Sequence, residues 1–156
     1  MNNNRLDDLI IENARIMYRN FSGKPSKYNT EGMMNFCLVI PDAELADRLR
    51  DDGWNIKVKT DNDEYEDDLY YTQVAVRFDR IPPNILMITK KKRTRLDNEE
   101  SVKCLDWAEI ETVDVIVHPS RYTNNGGGVK GYLKSMYVTI REDAFADKYA
   151  EEEYPE

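Results

Sequence analysis

Apolar and polar residues alternate with a period of two over much of this chain, which is the pattern of β-strands with one buried face. Residues 54–59 (WNIKVK) show it most clearly, since Trp54, Ile56 and Val58 are apolar and the positions between them are polar. The predicted strands are residues 9–21, 33–40, 54–59, 69–78, 85–89, 113–117 and 131–140.

The same alternation predicts which face of each long strand is buried. Within residues 69–78 the predicted core face consists of Tyr70, Val74, Val76 and Phe78. Within residues 131–140 it consists of Tyr132, Met136, Val138 and Ile140.

Helical signals are few and short. Asp42 can cap a helix that places Leu45, Ala46 and Leu49 on one face, and Gly53 suits its end. Further short helices are predicted within residues 98–107, with Val102, Leu105 and Trp107 on the buried side, and within residues 141–149. Strands outnumber helices and do not alternate with them, so the prediction is a mainly β fold with short helices, an antiparallel barrel or curled sheet.

Composition and charge divide the chain into a basic body and acidic appendages. The 156 residues carry a net charge of −8 and suit one soluble domain. Residues 61–68 and residues 142–156 each sum to −6, so the rest of the chain carries +4. We therefore expect a domain over residues 1–141, followed by an acidic tail at residues 142–156.

No segment of the sequence has the features of a membrane span or a secretion signal. Apolar runs are much shorter than the roughly 20 residues that cross a bilayer, and residues 1–5 lack the apolar core of a signal peptide. The expected location is therefore the cytoplasm.

Catalytic and metal-binding patterns are weak. Cys37, Cys104 and His118 are too few for a four-ligand zinc site, and no nucleophile motif lies near the histidine. The glycines of residues 124–128 lack the Lys-Ser or Lys-Thr of a phosphate loop. One compact group of acids, which a metal-dependent nuclease would need, is equally explained as solvated and capping carboxylates: Asp106, Glu109, Glu111 and Asp114. We predict no enzymatic activity, no cofactor and no metal.

Nucleic-acid binding has more support, because bases and aromatic residues are interleaved along the chain. Cations that follow phosphates and rings that stack on bases are what single strands require. Residues 90–95 (KKKRTR) form the densest basic run, and they would either clamp a nucleic acid or protect a sheet edge from pairing. The candidate binding residues are Tyr18, Arg19, Phe21, Lys24, Lys27, Tyr28, Arg77, Lys90, Lys91, Lys92, Arg93, Arg95, Arg121, Tyr122, Lys130, Tyr132 and Lys134.

Several segments together resemble phage-type single-stranded DNA-binding proteins with an oligonucleotide/oligosaccharide-binding (OB) fold. They are residues 14–18 (ARIMY), residues 36–42 (FCLVIPD), the glycine hairpin at residues 126–132 (GGGVKGY) and the acidic tail. The resemblance implies a barrel that binds single-stranded DNA in phage replication or recombination inside a bacterial host. Relative to a minimal barrel of this family, residues 42–68 are an insertion. It also implies that the tail docks replication or recombination proteins, although here the tail ends in Tyr-Pro-Glu rather than an apolar aromatic residue.

Two alternatives remain open at the level of sequence. Ordered carboxylates can imitate a row of phosphates, so an acidic protein-interaction module, such as a DNA mimic or a phage inhibitor of a host protein, also fits. A metal-dependent nuclease is the weaker alternative. The preference between DNA and RNA, and whether the chain forms a homo-oligomer, are left open.

Overall fold

The computed structural model describes residues 6–60, 68–79, 81–90 and 92–141. In these residues nine strands form one mixed sheet. The strands are β1 Leu9–Ile11, β2 Ile16–Asn20, β3 Met34–Ile40, β4 Lys57–Lys59, β5 Leu69–Val76, β6 Asn84–Ile88, β7 Arg93–Arg95, β8 Ile110–Tyr122 and β9 Gly128–Ile140. The helices are α1 Ala43–Asp52 and the 3₁₀ segments Ser101–Asp106 and Asn124–Gly126. The predicted helix at residues 141–149 lies almost entirely outside the described residues.

The first predicted strand, residues 9–21, is two short strands that together close a barrel. β1 pairs with β8 and β2 pairs with β3, so this bent stretch joins the two ends of the sheet. Between them, the Ala14 amide donates to the Val113 carbonyl (2.7 Å) and the Val39 amide donates to the Arg15 carbonyl (2.9 Å). The order around the barrel is β1/β2, β3, β5, β9, β8 and back, which is the order of the five strands in an OB fold.

The mainly β class and the OB-like barrel are confirmed, but the expectation of a wholly antiparallel sheet was wrong. β5 and β6 each pair with β9 in parallel. β5 and β9, the third and fifth barrel strands, lie side by side, although the fourth strand, β8, comes between them in sequence. A crossing connection of this kind brings two strands together in the same direction.

Helix α1 follows its sequence signals closely. The Asp42 side chain accepts a hydrogen bond from the Leu45 amide (2.7 Å), and Gly53 ends the helix with φ of +107°. Such a φ favours glycine because it has no Cβ. Trp54 then bridges to Val129 of β9, and a Cβ at Gly131 would come within 2.8 Å of its ring. Residues 42–60, the described part of the predicted insertion that precedes β5, thus pack against the barrel.

Strand β9 changes its buried face part-way along, which corrects the predicted face. Val129 and Leu133 are buried, and beyond them Met136 and Val138 are buried instead. The pairing with β8 shifts between Ile116 and Val117, which leaves Lys134 as an extra residue on β9. One extra residue reverses which side chains face the core. Tyr132 therefore lies on the outer face, not beside Met136.

Candidate nucleic-acid interface

Three tyrosines lie on the outer surface of the barrel, and we call the surface around Tyr18, Tyr71 and Tyr132 the tyrosine face. Thr72 and Val74 of β5 are buried, so Tyr71 points outward by strand alternation. Tyr132 is the register partner of Ala75, four residues further along β5, or about 13 Å at the usual strand rise. The face therefore offers aromatic rings along one strand direction.

Tyr18 reaches this face through an irregularity in β2. Its φ is +52°, and the pairing of β2 with β3 shifts between Met17 and Asn20. Bulges of this kind redirect a side chain, and a left-handed tyrosine backbone costs on the order of 1–3 kcal/mol. The ring is 56% exposed and meets Tyr71 edge to face, with centroids 6.0 Å apart. The strained backbone thus holds the exposed Tyr18 ring against the half-buried ring of Tyr71.

Lysines flank the tyrosines on the same face. Lys57 of β4 is the register partner of Tyr71, and Lys59 pairs with Leu69, so two exposed ammonium groups border this part of β5. Lys130 places its ammonium group 5.4 Å from the centroid of the Tyr132 ring. Burial raises the pKa of the Tyr71 phenol, which is already neutral at physiological pH and does not repel phosphate.

A concavity of about 420 Å³ opens beside Tyr132. Its walls are Arg77, Ile81, Pro82, His118, Ser120, Tyr132, Leu133 and Lys134. The Arg77 guanidinium also binds the Asp79 carboxylate, with 3.0 Å between Nε and Oδ1. The concavity combines one aromatic ring, apolar side chains and cations, which is what an unstacked base and its phosphate need.

Asp8 ties two of these walls together. Its Oδ1 lies 2.9 Å from His118 Nδ1, and its Oδ2 accepts a hydrogen bond of 2.7 Å from Lys134 Nζ. The hydrogen bond from Lys134 is the main reason that the pKa of Asp8 is lowered from its usual value. Asp8 therefore orders the concavity but neutralises part of its positive charge.

We expect Asp8→Asn to bind single-stranded DNA a few-fold more tightly, because Lys134 becomes available to phosphate. The slope of log affinity against log salt should steepen by about 0.7, the value for one added phosphate contact. The measurement is an oligo-dT titration at several salt concentrations. Asp7→Asn removes the same formal charge one residue away, and an equal gain in that control would rule out a specific role for Asp8.

The same substitution carries a pH signature. A lowered folded pKa means that the Asp8 carboxylate stabilises the fold fully above its unfolded pKa, near 3.8, and that this contribution is lost as the pH falls from there through the folded pKa. Wild type should therefore be the more stable protein at neutral pH, by less than about 1 kcal/mol for partly exposed ion pairs. The difference should vanish as the pH of a urea-unfolding series falls through the folded pKa.

The loop between β2 and β3 presents a second group of predicted residues. Lys24, Lys27 and Tyr28 are all exposed there. The Asn29 side chain holds the loop in shape, since its amide donates to the carbonyls of Lys24, Thr30 and Met33 and its oxygen accepts from Asn35. These cations are therefore carried on an ordered loop, which is one of the two loops by which OB folds bind oligonucleotides.

Two predicted residues have structural positions instead. Phe21 is 0% exposed and stacks on Phe36 in the core, so its ring cannot reach a base, and its assignment to the binding surface was wrong. The Arg19 guanidinium donates to the carbonyls of Leu105 and Ala108, each at 2.8 Å. It anchors the end of the first 3₁₀ helix.

Two further predicted residues lie where the glycine hairpin begins. Arg121 and Tyr122 end β8, and both are exposed. The Tyr122 ring lies against Gly128, where an added Cβ would come within 2.6 Å of the hydroxyl oxygen. The hairpin is the loop between the fourth and fifth barrel strands, the other binding loop of OB folds.

The basic run forms the tip and outer strand of a hairpin made by β6 and β7. Lys90 and Lys92 are exposed in the turn, Arg93 and Arg95 are exposed on β7, and Lys91 lies outside the described residues. Arg95 donates to the Asn84 side chain (2.7 Å), which in turn donates to the Tyr137 hydroxyl. The run is thus joined to the outer surface of β9, beyond the bulge at Lys134.

Three of the four acids considered for a nuclease have partners within the protein. Asp106 accepts hydrogen bonds from the Phe21 amide, the Ser22 amide and the Ser22 hydroxyl, at 2.6–3.0 Å. Asp114 accepts one from the Asn13 amide (2.7 Å), and Glu109 pairs with Arg141. Among the described residues no three His, Cys, Asp or Glu side chains are grouped so as to hold a metal ion. The described helices also include none long and apolar enough to span a membrane.

Comparison with known proteins agrees with this geometry. The family model "Putative phage ssDNA-binding domain" matches residues 1–156. The chain belongs to this family. The predicted resemblance to phage single-stranded DNA-binding proteins is therefore confirmed.

Solved structures support the fold. The single-stranded DNA-binding protein from bacteriophage Enc34, in complex with ssDNA, superposes with a TM-score of 0.57 at 12% identity, covering 88% of this chain and 89% of that one. A C-terminal truncation of the Enc34 protein gives a TM-score of 0.54 at 14% identity, covering 87% of each chain. A search of curated proteins found no match.

Sequence reasoning missed several residues of the interface. Tyr71, Lys57 and Lys59 were not among the predicted residues, although the alternation along their strands already placed them opposite the apolar positions. The pairing of β4 with β5, which brings them together, has no local signal in the sequence. Asp8 was missed for the same reason, since its partners lie 110 and 126 residues away.

Proposed function

We propose that this phage ssDNA-binding domain holds single-stranded DNA on the tyrosine face, without catalysis. Tyr18, Tyr71 and Tyr132 would stack on bases, while Lys57, Lys59 and Lys130 would contact phosphates. The observation that carries the proposal is that three partly exposed tyrosines share one face of the barrel, with lysines beside them. Aromatic platforms with a cationic path bind single strands with little dependence on sequence.

The proposed role is the protection or presentation of ssDNA during phage replication or recombination, in the cytoplasm of the bacterial host. The acidic tail and its docking role lie outside the described residues and stay predictions of the sequence. The alternative of an acidic interaction module also rests on such segments, because Asp68 is the only described carboxylate of the two acidic runs.

The proposal is tested by titrating the protein with fluorescent oligo-dT and the matching duplex at two or more salt concentrations. Single strands should bind more tightly than duplex, and affinity should fall steeply with salt because phosphate contacts release counterions. Absence of oligo-dT binding at low salt would refute the proposal.

Replacing Lys90, Lys92 and Arg93 together with alanine tests the basic hairpin in the same assay. If each contacts a phosphate, the salt slope should fall by about 2, since each contact on a single strand contributes about 0.7. A matched control replaces Lys103, Arg48 and Arg141, three cations outside the proposed surface. If the hairpin variant keeps the wild-type salt slope, these residues do not contact phosphates, and protection of a sheet edge is the better explanation of the basic run.

A further inference from the structure

Trp107 is a large exposed aromatic residue that no sequence signal assigned to binding. It follows the 3₁₀ helix Ser101–Asp106, where the buried face was predicted to include it. Val102 and Leu105 are indeed fully buried, but Trp107 is 68% exposed. An indole left in water forgoes on the order of 2–3 kcal/mol of burial, so its exposure needs a physical reason.

The backbone on both sides of Trp107 is firmly held. The preceding residue, Asp106, accepts three hydrogen bonds from Phe21 and Ser22. The following residue, Ala108, gives its carbonyl to the Arg19 guanidinium and donates its amide to the Cys104 carbonyl (3.1 Å). The indole is thus presented from a fixed point, which lowers the entropic cost of binding to it.

A lysine lies over the Trp107 ring, and another lies over the ring of Tyr28, which is in the same loop as Lys24. Lys24 Nζ lies 5.2 Å from the centroid of the Trp107 ring, and Lys27 Nζ lies 5.6 Å from that of Tyr28. Tyr28 is 86% exposed. We call these four residues the tryptophan patch. The patch itself contains two cations and no carboxylate, and the carboxylate of Asp106, next to Trp107 in sequence, is directed to the Phe21 and Ser22 amides and the Ser22 hydroxyl.

The tryptophan patch is linked to the tyrosine face through β2 and the residue that follows it. Phe21 lies three residues after Tyr18 and donates its amide to the carboxylate of Asp106, the residue before Trp107 (2.6 Å). Three residues of backbone span at most about 10 Å. That distance is short enough for one bound strand to touch both. A ring paired with an ammonium group suits a base and its phosphate better than an apolar protein surface, which would have to desolvate the cation.

We propose that Trp107 stacks on a base of bound single-stranded DNA while Lys24 and Lys27 contact the adjacent phosphates, extending the binding path beyond the barrel face. This inference rests on the proposed function, because it adds a second contact region to the same DNA strand. Lys24 lies over one face of the indole, and 68% of Trp107 remains exposed beside it.

Tryptophan fluorescence tests the inference directly, because the chain has two tryptophans and the other, Trp54, is only 4% exposed. Titration of wild type with oligo-dT of about 16 nucleotides, the upper site size of one OB fold, should quench the exposed indole. Trp107→Phe should abolish the quenching and keep affinity within about threefold. Trp107→Ala should weaken binding on the order of tenfold, as expected for the loss of one stack.

The outcomes separate this inference from the proposed function. If anisotropy shows oligo-dT binding but the emission does not change and Trp107→Ala binds as wild type does, the tryptophan patch is not a DNA contact and the tyrosine face stands. If wild type does not bind oligo-dT at all, both fail. Ile10→Ala, which removes another largely exposed apolar side chain, is the matched control and should leave affinity unchanged.

Discussion

Replacing Tyr71 and Tyr132 together with alanine should lower the affinity for oligo-dT by roughly 100-fold. Each base–aromatic stack contributes about 1–3 kcal/mol, and two such losses multiply in the binding constant. Tyr71 is on β5 and Tyr132 is on β9 beside Ala75, four residues further along β5, so the double variant removes two separate stacking contacts from one bound DNA strand. Anisotropy titrations at constant salt give the measurement.

The matched control keeps both rings and removes only their hydroxyl groups. Tyr71→Phe with Tyr132→Phe should bind within about threefold of wild type, because stacking uses the face of the ring. Far-UV circular dichroism should show the same fold for both double variants, since these side chains lie outside the core. If the alanine variant binds like wild type, the DNA does not lie on the tyrosine face.

Replacing Phe21 with alanine should destabilise the protein by about 3–5 kcal/mol, without weakening DNA binding by the molecules that remain folded. The ring is fully buried and stacks on Phe36 with centroids 5.5 Å apart. Its removal forfeits the transfer free energy and leaves a cavity between β2 and the rest of the barrel. Urea unfolding gives the stability, and a titration under fully native conditions gives the affinity.

Tyr28→Ala is the matched control for stability, because it removes an aromatic side chain that is exposed in the loop following Phe21. Its unfolding free energy should lie within about 0.5 kcal/mol of wild type, as for most surface substitutions. If Phe21→Ala is as stable as wild type but binds DNA much more weakly, then Phe21 contacts DNA and does not stabilise the core.

Phe21 and Tyr71 show what alternation along a strand can and cannot predict. On β5 the period of two correctly placed Val74 and Val76 inward and Tyr71 outward, although Ala75 is buried as well. It could not place Phe21, which follows the irregular pairing of β2 with β3, and it failed in β9, where an extra residue changes the face of every following residue. Such irregularities depend on partner strands distant in sequence, so no local pattern reveals them.

The candidate site was predictable in chemistry but not in arrangement. Lysines and tyrosines interleaved along the chain indicated nucleic-acid binding, and the family comparison confirms that class. Which cations are available depends on tertiary partners. Arg19 is taken by two carbonyl groups and Lys134 by Asp8, and neither partner is near in sequence. Burial and hydrogen bonding therefore decide which members of a basic and aromatic set remain free for a ligand.

Two three-residue strands on the barrel carry a consequence for how copies behave side by side. β4 (Lys-Val-Lys) pairs with β5, and β7 (Arg-Thr-Arg) pairs with β6. A protein that coats a DNA strand is crowded against its own copies, where unpaired strand edges invite aggregation. The cations at alternate positions of β4 and β7 repel the same strands of a second copy of the protein, but they attract the phosphates of DNA. Under the proposed function, the same side chains would both oppose pairing between neighbouring copies and contact the bound strand.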